Sequence, residues 1–138
     1  MPASPTAPVR PSITLTETEG DLLFNLACAA RDRSTMAAGL LLDELARAEF
    51  CSAANLPADV VTMHSRVRFL DEDSGEEHAV ELVYPRAADV ELGRVSVLTP
   101  VGAALIGLRR GSAIDWPNRL GALRRLRIIE VIQPERDG

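Results

Sequence analysis

The amino-acid sequence predicts an α+β protein in which an N-terminal antiparallel helical hairpin, a short coiled coil, precedes an antiparallel β-sheet domain with one short helix. Apolar residues recur at helical spacing as far as residue 48 and alternate with a period of two from residue 66 onward. Helices and strands that are segregated along the chain are typical of α+β folds. The 138 residues, 46% of them hydrophobic, suffice for one small packed domain with an appendage.

Composition excludes several classes of protein. A net charge of −5 argues against a protein held to nucleic acid by phosphate neutralisation, which needs a basic excess. No apolar stretch approaches the roughly 20 residues that span a bilayer, and residues 1–11 lack the basic start and apolar core of a signal peptide. Cys28 and Cys51 show no paired spacing, which is typical of reduced thiols. We therefore expect a cytoplasmic protein that binds neither membrane nor a specific nucleic-acid sequence.

Residues 1–12 are predicted to form a disordered, proline-rich tail. Prolines stand at every third position from residue 2 to residue 11, among Ala, Ser and Thr. Such a segment lacks backbone donors and apolar side chains to bury. Ordered structure is expected to begin at residues 13–15, where the sequence is ITL.

Residues 13–50 are predicted to form the helical hairpin. In the first helix Leu22, Leu26 and Ala29 fall at i, i+4 and i+7, and Thr16 or Thr18 can cap it. Acidic residues in the first turn suit the positive end of the helix dipole. Four polar residues, RDRS at 31–34, separate this helix from the next, which Ser34 or Thr35 can cap. The second helix places apolar residues on one side, namely Ala38, Leu41, Leu42, Leu45 and Ala48, and polar residues opposite, namely Asp43, Glu44 and Arg47.

Residues 51–138 are predicted to form the sheet domain, after a linker at 55–59. Val67 and Phe69 alternate with arginines in a half-buried strand, and an acidic turn at 71–77, in which Gly75 can take positive φ, leads to a return strand at 79–84. A third strand is expected at 94–98. Two more strands are expected at 114–116 and 125–132, with a bulge or two-sided burial where the apolar parity slips at Ile128 and Ile129.

The clearest helix is predicted at residues 101–108. Thr99 can cap it, Pro100 occupies the first turn, where its missing N–H does no harm, and Gly111 is the expected stop.

We predict no catalytic residues, no metal site and no cofactor. His64, His78 and Cys51 match no zinc spacing, and the phosphate-binding and nucleophile motifs are missing from the sequence. Cys28 lies at an apolar helix position, which favours a buried, inert thiol, and Cys51 is placed at a helix C-terminus. The acidic turn does not follow the EF-hand order, so a solvated turn is expected.

Charge is unevenly distributed along the chain. Residues 51–93 carry three Arg and nine acids, whereas residues 94–138 carry eight Arg and four acids. Two interpretations stay open: a basic area that docks on another protein, or pairing of these arginines within the molecule. The arginines concerned are Arg109, Arg110, Arg119, Arg124, Arg125 and Arg127. Among the aromatic residues, Phe50 and Phe69 are expected in the core, and Tyr84 and Trp116 in the core or at its rim.

Three segments together resemble the C-terminal domain of the Gre transcript-cleavage factors: VRFLDEDSGEE at 67–77, LVYP at 82–85 and RVSVLTPVGAALIGL at 94–108. The resemblance covers about residues 12–133. It is nearer to a short-armed subfamily, the regulators of nucleoside diphosphate kinase, on the segments CS at 51–52, DVVTM at 59–63 and SRV at 65–67. It implies an FKBP-like fold for residues 51–138.

The resemblance also implies binding to bacterial RNA polymerase near its secondary channel, the pore that leads to the active site. In Gre proteins the C-terminal domain grips the rim of that channel, with a Ser-Pro turn taking part. The turn corresponds here to Thr99 and Pro100, with Leu98 and Val101 adjacent. Leu98 stands where some relatives have an acid, so a contact there would be apolar.

The predicted hairpin tip departs from the Gre pattern. Gre factors carry two acids, three residues apart, at the tip of a long coiled coil, where they help to hold a second Mg²⁺ in the polymerase active site. Here the tip offers Asp32 alone, between Arg31 and Arg33, and three residues further on is Thr35. Arms of some 14 residues, roughly 21 Å long, are also far shorter. Transcript cleavage, which needs both metals, is therefore not expected.

The sequence thus predicts a non-enzymatic transcription regulator that binds RNA polymerase, competes with Gre factors and belongs to a subfamily named for an effect on nucleoside diphosphate kinase. The alternative is an interaction module for a different protein. FKBP-like folds include prolyl isomerases with an aromatic pocket, for which this chain offers only Phe69, Tyr84 and Trp116, so isomerase activity is not expected.

Overall fold

The computed structural model describes residues 12–32, 35–117 and 122–134, and it confirms the α+β class. The predicted tail therefore lies outside the described residues except for Ser12. Three α-helices are present in the described ranges: α1 (Glu17–Ala30), α2 (Thr35–Ala46) and α3 (Pro100–Leu105). The strands are β1 (Thr14–Thr16), β2 (Glu49–Cys51), β3 (Arg66–Asp71), β4 (Glu76–Val83), β5 (Arg94–Ser96), β6 (Ala113–Pro117) and β7 (Leu123–Ile132).

Helix α1 begins as predicted but presents a different face to the core. Thr16 is the cap, its Oγ1 accepting a hydrogen bond from the backbone N–H of Glu19 at 3.1 Å. The buried positions are Gly20, Leu23, Ala27 and Ala30, whereas Leu22 is 53% exposed and Cys28 is exposed. The prediction that Leu22, Leu26 and Ala29 form the buried face was therefore wrong, and so was the predicted burial of the Cys28 thiol. Two adjacent apolar rows run along this helix, and packing against the rest of the fold selects between them.

Helix α2 is buried on more than one side because it packs against both α1 and α3. Ala38, Leu41 and Leu45 are buried as predicted. Glu44, expected on the solvent side, is only 4% exposed and forms an ion pair with Arg47. Ala48 lies beyond the end of the helix.

Strands β1 and β2 form a parallel pair, here called the basal clasp, that closes the hairpin where it joins the sheet domain. The backbone N–H of Glu49 donates to Ile13 O at 2.9 Å, and that of Thr14 donates to Gly107 O at 3.1 Å. The prediction missed β2, so Cys51 lies in a strand rather than at a helix end. Phe50, expected in the core, is 47% exposed.

The main sheet has five strands in the order β5-β4-β3-β7-β6. It is mixed rather than antiparallel, because β4 and β5 run parallel, which corrects the predicted topology. The register between β3 and β7 shifts so that Arg68 pairs with Glu130 and Phe69 with Ile128, which leaves Ile129 as the extra residue of a bulge. The bulge at the predicted parity slip is confirmed. In the β3–β4 turn Gly75 has a φ of +77°, as expected.

Helix α3 ends earlier than predicted, at Leu105 rather than Leu108. Ile106 adopts an extended ψ of 131°, and Gly107 has a φ of +78°, so the stop lies at Gly107 instead of Gly111. A Cβ on Gly107 would lie 2.8 Å from Ile13 Cβ. The early stop therefore lets the chain pass closely beside the basal clasp.

A single hydrophobic core joins the hairpin to the sheet domain. Leu15, Leu23 and Leu41 from the hairpin are buried in the same cluster as Phe69 and Leu126 from the sheet. Polar contacts cross the same boundary, because Glu19 Oε1 accepts from the backbone N–H of Met63 at 3.3 Å. The hairpin therefore packs as part of the molecule's one core.

Candidate docking site

The turn between β5 and α3 is held by three side-chain hydrogen bonds. Ser96 Oγ accepts from the backbone N–H of Leu98 at 3.0 Å. Thr99 Oγ1 donates to Ser96 O at 2.7 Å and accepts from the backbone N–H of Gly102 at 3.0 Å, which makes Thr99 the helix cap, as predicted. Pro100 follows as the first helical residue. These bonds give the turn one defined conformation and satisfy the backbone N–H groups of Leu98 and Gly102 locally.

Helix α3 lies unusually close to the chain that precedes it. A Cβ added to Gly102 would lie 2.1 Å from Ser96 O and 2.8 Å from Val97 Cα. Ala103, Ala104 and Leu105 are buried behind it. Only glycine permits this approach, so the position of the turn relative to the sheet is fixed by packing.

The four residues predicted to bind polymerase form a ridge between concave surfaces, here called the docking ridge (Leu98, Thr99, Pro100 and Val101). On one side, Leu98 lines a groove of about 590 Å³ with Leu26 and the last turn of α1. On the other side, the remaining three residues line an apolar cavity of about 510 Å³. All four ridge residues are partly exposed. The structure therefore brings them together in one accessible segment, with room on both flanks for side chains of a partner.

The aromatic side chains that a proline pocket would need are divided between these two concavities. Phe69 and Trp116 line the 510 Å³ cavity, whereas Tyr84 lines the groove beside Leu98 and contacts His64 edge-on at 5.7 Å. Burial, together with the nearby Glu19 carboxylate, raises the pKa of Tyr84. The tyrosine is therefore part of the junction between hairpin and sheet.

The hairpin tip lies near the docking ridge. Arg31 and Asp32 are exposed at the end of α1, while Arg33 lies outside the described residues. Ala29 and Ala30, in the turn just before the tip, line the same groove as Leu98. In the parts of the chain that the structure covers, no group of three or more His, Cys, Asp and Glu is placed to hold a metal ion.

The arginines of the C-terminal half are mostly paired within the molecule. Guanidinium–carboxylate distances are 2.8 Å for Arg124–Asp71, 2.9 Å for Arg125–Asp115 and 2.8 Å for Arg127–Glu72, and Arg109 pairs with Asp59 at 3.1 Å. Arg119 lies outside the described residues, and Arg110 is exposed. Of the two interpretations of the basic area, intramolecular pairing is the one that these contacts support.

This pairing organises the acidic turn. Burial raises the pKa of Asp71, but hydrogen bonds from Arg124 and from the backbone N–H groups of Asp73 and Ser74 outweigh it and lower that pKa below its ordinary value. The hydrogen bond to Asp115 raises the pKa of Arg125. The turn is therefore a structural ion-pair network on the sheet.

Two features of this region escaped the sequence analysis. Arg94 is exposed at the rim of the apolar cavity but pairs in register with Glu81, on the face of the sheet opposite Val95, and the buried Trp116 Nε1 has no hydrogen-bond partner within the described structure. No sequence motif identifies these two residues, because the cavity is lined by strands that are distant in sequence. The part of the chain that the structure covers holds no helix that is long and apolar enough to cross a membrane.

Fold and site together define a two-part protein: a short helical arm packed on a sheet domain, with an exposed, hydrogen-bonded turn suited to docking. The family model for the transcription elongation factor GreA/GreB C-terminal domain matches residues 56–133, and the chain belongs to this family. It is 38% identical over 130 residues to the regulator of nucleoside diphosphate kinase of Escherichia coli K12, covering 94% of this chain and 96% of that protein.

Two further relatives support the assignment. The transcription elongation factor GreA of Azorhizobium caulinodans is 33% identical over 124 residues, 87% of this chain and 78% of that protein. Among solved structures, a prokaryotic transcription elongation factor GreA/GreB from Nitrosomonas europaea is 39% identical, with a TM-score of 0.69 over 88% of this chain and 99% of that one. The chain is therefore a Gre-like transcription factor that resembles the regulator of nucleoside diphosphate kinase over nearly its whole length.

Proposed function

We propose that this protein is a non-enzymatic transcription regulator that binds bacterial RNA polymerase near the secondary channel through the docking ridge. The observation that carries the proposal is the geometry of the ridge: four partly exposed residues, fixed by three hydrogen bonds, stand between two concave surfaces. By the sequence resemblance they correspond to the turn by which Gre proteins grip the channel rim. Its place of action would be the cytoplasm, where the polymerase works.

The same proposal excludes stimulation of transcript cleavage. Two-metal hydrolysis of RNA needs a ligand set that Gre factors complete with two acids at the tip, and this tip carries Asp32 alone. Helix α1 has 14 residues, about 21 Å, and α2 has 12. A protein that docks with this arm would occupy the channel entrance and compete with Gre factors.

Binding to purified core polymerase, with and without a Gre factor as competitor, tests the proposal. We expect saturable binding that the Gre factor displaces. The double variant Thr99→Ala with Pro100→Ala should weaken binding while the sheet stays folded. Thr16→Ala is the matched control, since it also removes a helix cap but at the base of the arm. Unchanged affinity in a folded double variant would contradict the assignment of the ridge.

A second assay addresses cleavage. Added to a backtracked elongation complex, the protein should leave the RNA intact, whereas a Gre factor in a parallel reaction should shorten it. Shortened RNA in the presence of this protein alone would refute the argument from the tip.

One observation favours a second candidate, an interaction module for a different partner: the relative at 38% identity is named for regulating nucleoside diphosphate kinase. Such an effect does not require contact with the kinase, because a transcription regulator can change the amount of kinase made. Titration of the purified protein with the kinase separates the two cases. A complex with the kinase, and none with polymerase, would favour the module.

A further inference from the structure

Two half-exposed aromatic side chains lie at the base of the helical arm. Phe24 of α1 and Phe50 of β2 are 52% and 47% exposed, and together they line a concave surface of about 360 Å³, here called the phenylalanine groove. Leu42, Leu45 and Ala46 of α2 also line it. Exposed apolar side chains that gather in one concavity, rather than lying scattered, are typical of a binding surface.

Residues 1–11 join the described chain beside this groove. Ser12 is followed by β1, in which Leu15 pairs in register with Phe50. Three residues of extended chain span at most about 11 Å and parallel neighbours lie about 4.8 Å apart, so the Cα atoms of Ser12 and Phe50 lie within about 16 Å of each other. The eleven preceding residues span about 34 Å at about 3.1 Å per residue in a polyproline II helix, which is ample reach.

The sequence of this tail fits a polyproline ligand. Its prolines recur at every third position from residue 2 to residue 11, and a polyproline II helix has three residues per turn. All four prolines therefore fall on one edge of such a helix. Proline-rich segments in this conformation dock in grooves lined by aromatic side chains, because a preformed helix loses little entropy on binding.

Charge complementarity favours the same occupant. Arg10 is the only charged side chain in residues 1–12. Around the groove Glu17, Asp21 and Glu49 are exposed and form no ion pair or side-chain hydrogen bond with other described residues. Asp21 lines the groove, Glu17 lies one turn before it on the same side of α1, and Glu49 precedes Phe50. The tail thus carries its one positive side chain into an acidic rim, formed by these three carboxylates.

We propose that residues 1–11 bind in the phenylalanine groove of their own chain as an intramolecular polyproline ligand. The proline edge contacts Phe24 and Phe50, and Arg10 pairs with the acidic rim. Attachment at Ser12 raises the effective concentration of the tail to the millimolar range, so a weak contact suffices. The docked tail covers aromatic surface that the arm otherwise exposes, and the predicted disorder then describes the undocked tail. Docking of the tail does not depend on polymerase binding.

Nuclear magnetic resonance of the full-length protein tests this docking from both sides. We expect Phe24→Ala to move the backbone amide signals of Ala3, Thr6 and Val9 in a ¹H–¹⁵N spectrum to positions typical of a free chain. Leu22→Ala is the matched control, because Leu22 also belongs to α1 and is 53% exposed but lies outside the groove. This control should leave the tail signals unchanged.

Changes in the tail should produce the reciprocal effect. Pro5→Ala with Pro8→Ala should shift the amide signals of the groove residues, whereas Ser4→Ala with Ala7→Ser, which keeps every proline, should not. Arg10→Gln should lower the equilibrium constant for docking up to about fivefold, the value of an exposed ion pair.

The amide signals of the sheet domain report whether each variant is folded. Identical tail signals in the parent and in folded Phe24→Ala protein, or groove signals that the proline changes leave unmoved, would overturn the proposal. Signals that change on dilution would assign the groove to a second copy of the chain and would overturn it as well. If Phe24→Ala fails to fold, the tail variants decide alone, because they alter no described residue.

Discussion

Gly102→Ala should be among the most damaging single-methyl changes that this fold permits. The added Cβ would lie 2.1 Å from Ser96 O, whereas real Cβ atoms essentially never come closer than 3.0 Å to another heavy atom. Ser96 O and Val97 Cα are backbone atoms, so no rotamer change can relieve the overlap. Either α3 or the turn before it must move.

The cost follows from two contributions. Overpacking of a close-packed region costs about 1–3 kcal/mol, and a backbone contact places this case at the upper end. The helix cap would also be weakened, because Thr99 Oγ1 accepts its hydrogen bond from the backbone N–H of residue 102 at 3.0 Å; losing this cap costs about 1 kcal/mol. We expect a loss of about 4 kcal/mol in the free energy of unfolding, or roughly 16 °C in Tm at about 4 °C per kcal/mol.

Gly39→Ala is the matched control with the opposite sign. Gly39 lies inside α2, and a Cβ there meets nothing within 4 Å. The same substitution should therefore stabilise the protein by about 0.5–1 kcal/mol through helix propensity. Urea unfolding, followed by circular dichroism and by Trp116 fluorescence, measures both variants. A Gly102→Ala protein within about 0.5 kcal/mol of the parent would refute the argument that α3 is held by backbone contact.

Two further outcomes are expected. Gly20→Ala should be nearly neutral in urea unfolding, although its Cβ would lie 2.3 Å from Phe50 Cε1. The Phe50 side chain is 47% exposed and can turn away, and α1 gains a better helix former. A loss above about 2 kcal/mol in the free energy of unfolding would show that the ring is held in place. Asp71→Asn should lower stability at pH 7 by about 1–2 kcal/mol. Because the pKa of Asp71 is lowered in the folded protein, its contribution is complete above the ordinary value of 3.8 and is lost as pH falls through the lowered value. The variant should therefore lose less stability than the parent protein as pH falls from about 5 to about 2, which urea unfolding at several pH values would measure. Equal losses of stability in the two proteins would contradict the pairing of Asp71 with Arg124.

Much of the local structure could be predicted because it depends on neighbours in sequence. The caps at Thr16 and Thr99, the positive φ of Gly75 and the bulge at Ile129 each follow from a few adjacent residues. Strands β3 and β4 follow likewise from their alternation. In each case the physical cause lies within about one turn or one strand.

The wrong expectations share a different cause, which is contact between distant segments. Leu22 and Leu23 are equally apolar, and only docking on the sheet decides which of them is buried. Glu44 is buried because α3 covers a side of α2 that an isolated hairpin would expose. Helix α3 stops at Leu105 because Gly107, rather than Gly111, takes the left-handed conformation and returns the chain beside Ile13; both glycines are local stop signals, and the contact with Ile13 favours the earlier one.

The candidate site divides in the same way. The positions of the docking ridge could be named from the resemblance, and its capping from the residues themselves. The flanking groove and cavity could not be predicted, since their walls combine α1 with Tyr84, and five strands with α3.

The last turn of α1 lies beside Leu98, and this position determines how far the helical arm extends beyond the docking ridge. The last turn of α1 lies level with the segment proposed to hold the polymerase, so the described part of α1 extends little beyond the proposed point of attachment. Seven residues added to each helix at the tip would extend the arm by about 10 Å without altering the basal clasp or the ridge. Under the proposed function, attachment would depend on the docking ridge and reach on the length of α1 and α2, so the two would be specified by separate parts of the chain.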